Sequence, residues 1–341
     1  MITKNRREQS IRCLALILIV TLADIVFFPL SPWATTPQKN THKVRCLQEI
    51  TTDENGVQLF FPTSLFYDQE EDEIYATCGG ENQLVIFTTD FLPLASFGAG
   101  RGIKSALSCS VYKDKIYISS LYNSGTAEAN HLQVFDRALL PTEKIFFSGF
   151  KKATTYQPAK VLVRKNLIYL AGKNPEGLLV LDLHGNLQQH IIPFTDVLGI
   201  REKAPVKSFA VDDADRIFLL SETMGKVFVY SSQGEFLYAF GEKGGSAGKL
   251  SRPRGIAIDN RRDLVYVVDY MRHTINVYNQ QGNFLFDFGG KGARQGWFFY
   301  PSDVCLDRQN RLWVADMFNH RLQVFHISVT DDSDPLTNNR Q

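Results

Sequence analysis

The sequence predicts an all-β fold, a six-bladed β-propeller preceded by an N-terminal transmembrane or signal helix. Three observations predict it: a short-strand motif that recurs about every 42–52 residues, an aromatic-rich composition, and a basic, then apolar, segment ahead of the first repeat. The 341 residues exceed one ordinary compact core, so either two domains or one repetitive domain is expected. Apolar residues make up 44% and aromatics 12%. That weight favours β structure over disorder.

In chain order, residues 1–12 hold Lys4, Arg6, Arg7 and Arg12 against Glu8. Their balance of +3, within a total of +1, leaves the rest of the chain at −2. A body of that charge lacks the positive excess that drives non-specific nucleic-acid binding, so nucleic acid is not an expected partner. Cys13–Leu22 is a run of ten apolar or near-apolar residues; Asp24 interrupts it and Ile25–Leu30 completes it. The 18 residues from Cys13 to Leu30 come close to the roughly 20 that a membrane helix needs. Basic residues ahead of the run predict a signal anchor, with the body exported and the membrane reached through residues 13–30. The alternative is a cleaved signal peptide and a secreted or periplasmic body. Pro32, two residues before Ala34, makes the cleavage site there a poor one. Residues 1–30 are thus tail plus anchor or signal, 31–42 a linker, 43–327 the propeller and 328–341 a disordered tail.

The repeat is clearest from Arg252 (RPRGIAIDNRRDLVYVVDYMRHTINVYNQQGNFLFDFG) and from Tyr300 (YPSDVCLDRQNRLWVADMFNHRLQVFHI). A proline opens an apolar run ending in Asp, a polar turn comes next, a second strand closes on Asp269 or Asp316, and a third alternates as Ile275/Val277 or Leu322/Val324. The same frame starts at Phe61, Ser105, Gln157 and Ala204. Second strands then end at Cys78, Ser120, Gly172, Ser221, Asp269 and Asp316, in steps of 42, 52, 49, 48 and 47 residues. The longest step reflects extra residues around Tyr122–Asn130 in the second copy. Such a period with four short strands specifies propeller blades and not βαβ units. Each sheet lies between two others, so both its faces are apolar. Gln281-Gly282-Asn283, Gln233-Gly234-Glu235 and His184-Gly185-Asn186 read as hairpin turns, and Phe97-Gly98, Phe240-Gly241 and Phe288-Gly289 as outer-strand ends. The sixth copy has three strands, so a strand within Lys43–Ile50 is expected to complete it and close the ring.

The segments from Arg252 to Phe288 and from Tyr300 to Phe325, with Asp269–Arg272-His273-Thr274 and Asp316–Asn319-His320-Arg321 in frame, closely resemble the NHL repeat family, in a bacterial-type arrangement with an N-terminal signal anchor. Cys78, Ser120 and Gly172 depart from that pattern. The resemblance implies a six-bladed propeller serving as a binding platform for protein or RNA. Some relatives are enzymes, such as the amidating lyase. Fold does not by itself fix function.

Innermost strands begin at the proline positions, so the residues just after them should line the rim: Thr63-Ser64, Leu107-Ser108, Ala159-Lys160, Val206-Lys207, Arg254-Gly255 and Ser302-Asp303. No histidine is among them, which counts against a metal-dependent lyase. Asp303 alone is acidic, which counts against a calcium site. His273 and His320 share a repeat position, which points to blade geometry. Cys109 and Cys305 fall on innermost strands as small buried residues. Gly244–Lys249 lacks the spacing of a phosphate loop and reads as an inter-blade connection. Lys144, Lys151, Lys152, Lys160, Arg164, Lys165 and Lys173 form a basic stretch with no acidic residue, able to steer an acidic partner. No catalytic residue, metal ligand or cofactor is expected. The candidate binding residues are Lys151, Lys152, Lys160, Lys207, Arg254 and Asp303. The expected function is a non-catalytic extracytoplasmic scaffold binding a protein or peptide partner on one face, an acidic partner being the one that the basic stretch would steer. The alternative is a lyase- or hydrolase-type enzyme with a metal or small ligand in the channel.

Overall fold

A computed structural model describes residues 41–80, 83–103, 105–120, 129–197 and 199–330. The anchor or signal at 1–30, the linker up to residue 40, most of the Tyr122–Asn130 insertion and the tail beyond residue 330 lie outside the described residues. Among the described residues no helix is long and apolar enough to cross a membrane. The only helical segments described are three short 3₁₀ turns.

The chain from His42 to Val329 forms one compact unit of six four-stranded antiparallel sheets. Within each blade we name the strands A to D from the inside outward. Blade I comprises Pro62–Asp68, Glu73–Cys78, Gln83–Thr88 and Pro93–Phe97. The A strands of blades II to VI are Ala106–Tyr112, Gln157–Arg164, Ser208–Val211, Pro253–Asp259 and Pro301–Leu306. Each touches the next, and the sixth touches the first, so the ring is closed. The B strands end at Cys78, Ser120, Lys173, Ser221, Asp269 and Asp316. Five of these are the positions expected from the repeat, and the sixth lies one residue beyond Gly172.

Blade VI is completed as the repeat requires. Thr41–Ile50 pairs with Arg321–Thr330 as its outermost strand. Ile50 is buried between blades VI and I, while Val44 and Cys46 pack between blades V and VI. The core is accordingly not one mass but six slabs, one in each gap between neighbouring blades. This is why B and C strands are apolar on both faces, as in Leu264–Asp269, buried throughout. Gly185, Gly234 and Gly282 take φ of +87°, +80° and +89° in the expected C–D turns, a conformation open to glycine without strain.

One element was not expected: a two-stranded hairpin, Phe194–Val197 with Ile200–Lys203, between blades III and IV. Arg201 lies 4.3 Å over the exposed Phe194 ring.

Candidate functional site

Because the strands alternate in direction, the A-strand starts, the B–C turns and the connections to the next blade all emerge on one face. Each A strand carries an irregularity at that end. The pairing register slips between Pro62 and Ser64, Ala106 and Ser108, Pro158 and Lys160, Pro253 and Ile256, and Pro301 and Asp303. In blade IV the Lys207 N–H donates to the Leu220 carbonyl, just before the ladder begins at Ser208. A bulge bends its strand and re-aims the local side chains. Here it turns the rim residues into the channel.

The outcome is a cavity of about 180 Å³ whose lining includes Ser64, Lys160, Lys207, Ser208, Arg254 and Asp303. Lys160 of blade III spans the channel to Asp303 of blade VI, with Nζ 2.5 Å from Oδ2. Those two blades stand opposite in a ring of six. The same Oδ2 accepts from Ser64 Oγ at 2.8 Å and from the Leu65 N–H at 3.0 Å, and Lys160 also donates to Ser64 Oγ at 3.0 Å. The pair is thus a neutral strut across the channel floor. Asp303 fits because blade V presents Gly255 there: a Cβ on it would lie 2.7 Å from Asp303 Cα and 2.8 Å from Oδ1.

Above the strut the charge is not balanced. Among the described residues, no group accepts a hydrogen bond from the Lys207 ammonium. Lys207 leaves much of its side chain open to solvent, yet the channel walls surround it closely. That burial, and after it the nearby Arg254 charge, lowers its pKa, and Glu222 offsets this only in part. The Arg254 guanidinium stacks 3.5 Å over Tyr270. Its Nε lies 3.5 Å from Glu222 Oε1, which Arg252 Nε approaches at 2.9 Å. These are ion-pair distances, but neither contact is aligned as a hydrogen bond, and Glu222 Oε1 and Arg254 Nε are buried without such a partner. A groove of about 380 Å³ continues outward between blades III and IV past Lys173, Pro205, Val206 and Glu222.

Four of the six candidate residues are therefore brought together: Lys160, Lys207, Arg254 and Asp303. Lys151 and Lys152 are not. They are exposed on the connection between blades II and III, outside the cavity lining. The basic stretch is also not one patch. Arg164 and Lys165 lie at the opposite end of their strand, where Asp215 pairs with both at 2.8 and 2.6 Å. Their charge is spent on the blade III–IV contact.

The shared histidines act in the frame of the blades. The His273 ring accepts the Tyr300 N–H at Nδ1 (2.9 Å), and His320 accepts the Phe61 N–H at Nδ1 (3.3 Å). Each thereby fastens its own B–C turn to the start of the next blade. Cys109 and Cys305 are buried, unbridged thiols. Burial pushes the Cys109 thiol up to about 12. Among the described residues, no group of three or more His, Cys, Asp or Glu could hold a metal ion.

The positions that sequence reading missed are those one step past the B-strand ends: Glu222, Tyr270 and Met317, which border the mouth. The same repeat frame that marked the strand ends could have found them, since a residue directly after a B strand must sit beside the A-strand start.

This architecture defines a class, the six-bladed β-propeller. Residues 206–282 match the DUF5128 family, described as a 6-bladed beta-propeller, and residues 298–325 match the NHL repeat. The chain is thus a six-bladed β-propeller whose last blade matches the NHL repeat. No curated protein matches it in sequence. Among solved structures it is similar to a structural genomics protein of unknown function from Bacteroides thetaiotaomicron VPI-5482 (TM-score 0.63, 12% identity, 85% of this chain and 77% of that one). It is also similar to virginiamycin B lyase from Staphylococcus aureus (0.59, 11%, 84% and 99%). A third is an auxiliary nutrient binding protein from Bacteroides thetaiotaomicron VPI-5482 (0.58, 11%, 85% and 77%). At these identities the likeness concerns the fold alone.

Proposed function

We propose that this propeller is a non-catalytic binding module that holds an acidic protein or peptide partner on its mouth-side face. One juxtaposition supports this reading: the uncompensated cation Lys207, with Arg254 beside it, on the same face as the exposed Met271, Trp297 and Phe318. Cations steer an acidic partner and speed encounter, while exposed aromatic and Met side chains on an otherwise polar face supply apolar anchors. The alternative, an enzyme of lyase or hydrolase type with a metal or small ligand in the channel, has less support. Its nearest candidate nucleophile, Ser64 Oγ, donates to Asp303, and Lys160 is committed to the same carboxylate.

The same proposal places residues 13–30 in a membrane as an uncleaved anchor, with the propeller extracytoplasmic. It rests on the basic residues ahead of the apolar run. Protease added to spheroplasts should then digest the propeller; full protection would contradict that placement.

The binding reading is tested by cross-linked capture of the full chain from its own cells. Lys207→Glu with Arg254→Glu should abolish recovery of the partner that the wild type enriches, while the variant still unfolds cooperatively. Lys151→Glu with Lys152→Glu should weaken recovery only at low salt, because those lysines lie outside the mouth. Undiminished recovery by the mouth variant would refute the reading.

A further inference from the structure

We infer that the channel mouth is a built receptor for a single carboxylate group, held by Lys207, Arg254 and Ser208 above the Lys160–Asp303 strut. This deepens the binding reading and rests on it for the choice of face.

Unpartnered donors carry the inference. Buried polar side-chain atoms nearly always find partners, so those that do not require an explanation. Eight such atoms lack one among the described residues, and half of them belong to Ser208, Arg254, Asp303 and Glu222 around this mouth. Ser208 is a buried residue of the cavity lining whose Oγ has no hydrogen-bond partner. Two of these four atoms are acceptors, Asp303 Oδ1 and Glu222 Oε1, the latter 3.5 Å from Arg254 Nε; the donors are Ser208 Oγ and Arg254 Nε, to which the Lys207 ammonium adds a third. An ionised carboxylate is their complement, an acceptor-only group with room for several hydrogen bonds.

Charge selects the same chemistry. Asp303 cancels Lys160, and Glu222 is shared between Arg252 and Arg254. One carboxylate cannot cancel two guanidiniums, so with Lys207 the mouth carries two excess cations, a charge that a bound carboxylate offsets in part. Burial and the Arg254 charge both lower its pKa, and a bound carboxylate would oppose that shift. Space agrees. A cavity of about 180 Å³ admits a carboxylate and a few carbons, and the adjoining groove past Pro205 and Val206 receives the rest of the ligand.

Such a carboxylate has two sources, a small free acid or the end of a peptide, and the probes separate them. Equilibrium dialysis of the full chain is run with succinate, with an acetylated alanine tripeptide bearing a free C-terminus, and with the C-terminal amide of that tripeptide. Saturable binding of either acid is expected, with none of the amide. Lys207→Met and Arg254→Met should each weaken binding about tenfold or more, as loss of a charge-assisted hydrogen bond does. Lys207→Arg should retain most of it. Binding of the tripeptide acid alone assigns the site to a peptide terminus; binding of succinate as well assigns it to carboxylates of either source. If neither acid binds up to about 10 mM, or binding is unchanged in a Lys207→Met protein with wild-type melting, the inference is overturned. Failure here with partner capture still sensitive to charge reversal would leave the face reading standing. Acid binding without any captured partner would do the opposite.

Discussion

At the scale of single residues, Gly255 and His273 show how the repeat is held together. Gly255 has an ordinary backbone, so its role is the close approach of Asp303 rather than freedom of φ. Gly255→Ala should lose about 1–3 kcal/mol through overpacking, measured by guanidinium unfolding of the full chain. Gly245→Ala, which meets no atom within 4 Å, should stay within about 0.5 kcal/mol. The His273 ring must be neutral at Nδ1 to accept the Tyr300 N–H. Burial, then the Lys291 charge, lowers its pKa, with Asp269 opposing. A base whose folded pKa is depressed binds its proton more readily when unfolded. Its contribution is therefore fully present above the ordinary 6.5 and is lost as pH falls through the folded value. Unfolding midpoints of wild type and His273→Gln should converge as the pH is lowered from 7 to about 5; a constant difference would contradict this. The rim residues were legible in the sequence because proline marks most of the A-strand starts. Their partners were not, since the pairing of Lys160 with Asp303 joins opposite blades and no spacing along the chain records a diameter.

At the scale of elements, each blade contact is stitched by polar side chains at the face away from the mouth. Arg137 of blade II reaches Asp68 of blade I at 2.5 Å, and Arg164 of blade III reaches the Asp212 carbonyl of blade IV at 2.9 Å. Arg216 bonds Gln280, Arg262 bonds the Ile327 and Asn310 carbonyls, and Arg311 bonds the Thr89 carbonyl across the VI–I gap. Tyr112 and Asn166 close the remaining gap between blades II and III. Arg311→Leu would leave buried Asp307 with three donors but no countercharge. We expect a loss of about 3–5 kcal/mol in denaturant unfolding. The closing strand was legible because the sixth copy lacked its outer strand and an unpaired edge needs covering. Ile50→Ala should cost about 2–5 kcal/mol, and deletion of residues 43–50 should abolish cooperative unfolding near the wild-type midpoint. The Phe194–Lys203 hairpin was not legible. Its connection is only a few residues longer than those at 241–252 and 290–300, and its strands alternate apolar with charged residues too briefly to separate from loop.

At the scale of the whole molecule, fold and chemistry are written differently in the chain. Burial between blades repeats six times, so a periodic apolar pattern survives even where the second and third copies depart from the family pattern. The mouth is assembled from one to three residues of every blade, each different, and periodicity hides such differences. Six copies of one frame thus place Ser64, Lys160, Lys207, Arg254 and Asp303 around one axis, while the chemistry rests on the residues that the blades do not share. The central claim is that a partner occupies this face, and photo-cross-linking of the full chain in its own cells tests it most directly. A benzophenone amino acid is placed at Phe318 or Met271 on the mouth-side face, and at Arg308 or Asn260 on the opposite one. The account predicts a discrete adduct with one acidic protein or peptide from the first pair and none from the second. Equal adducts from both faces, or an adduct from Arg308 and Asn260 alone, would contradict it.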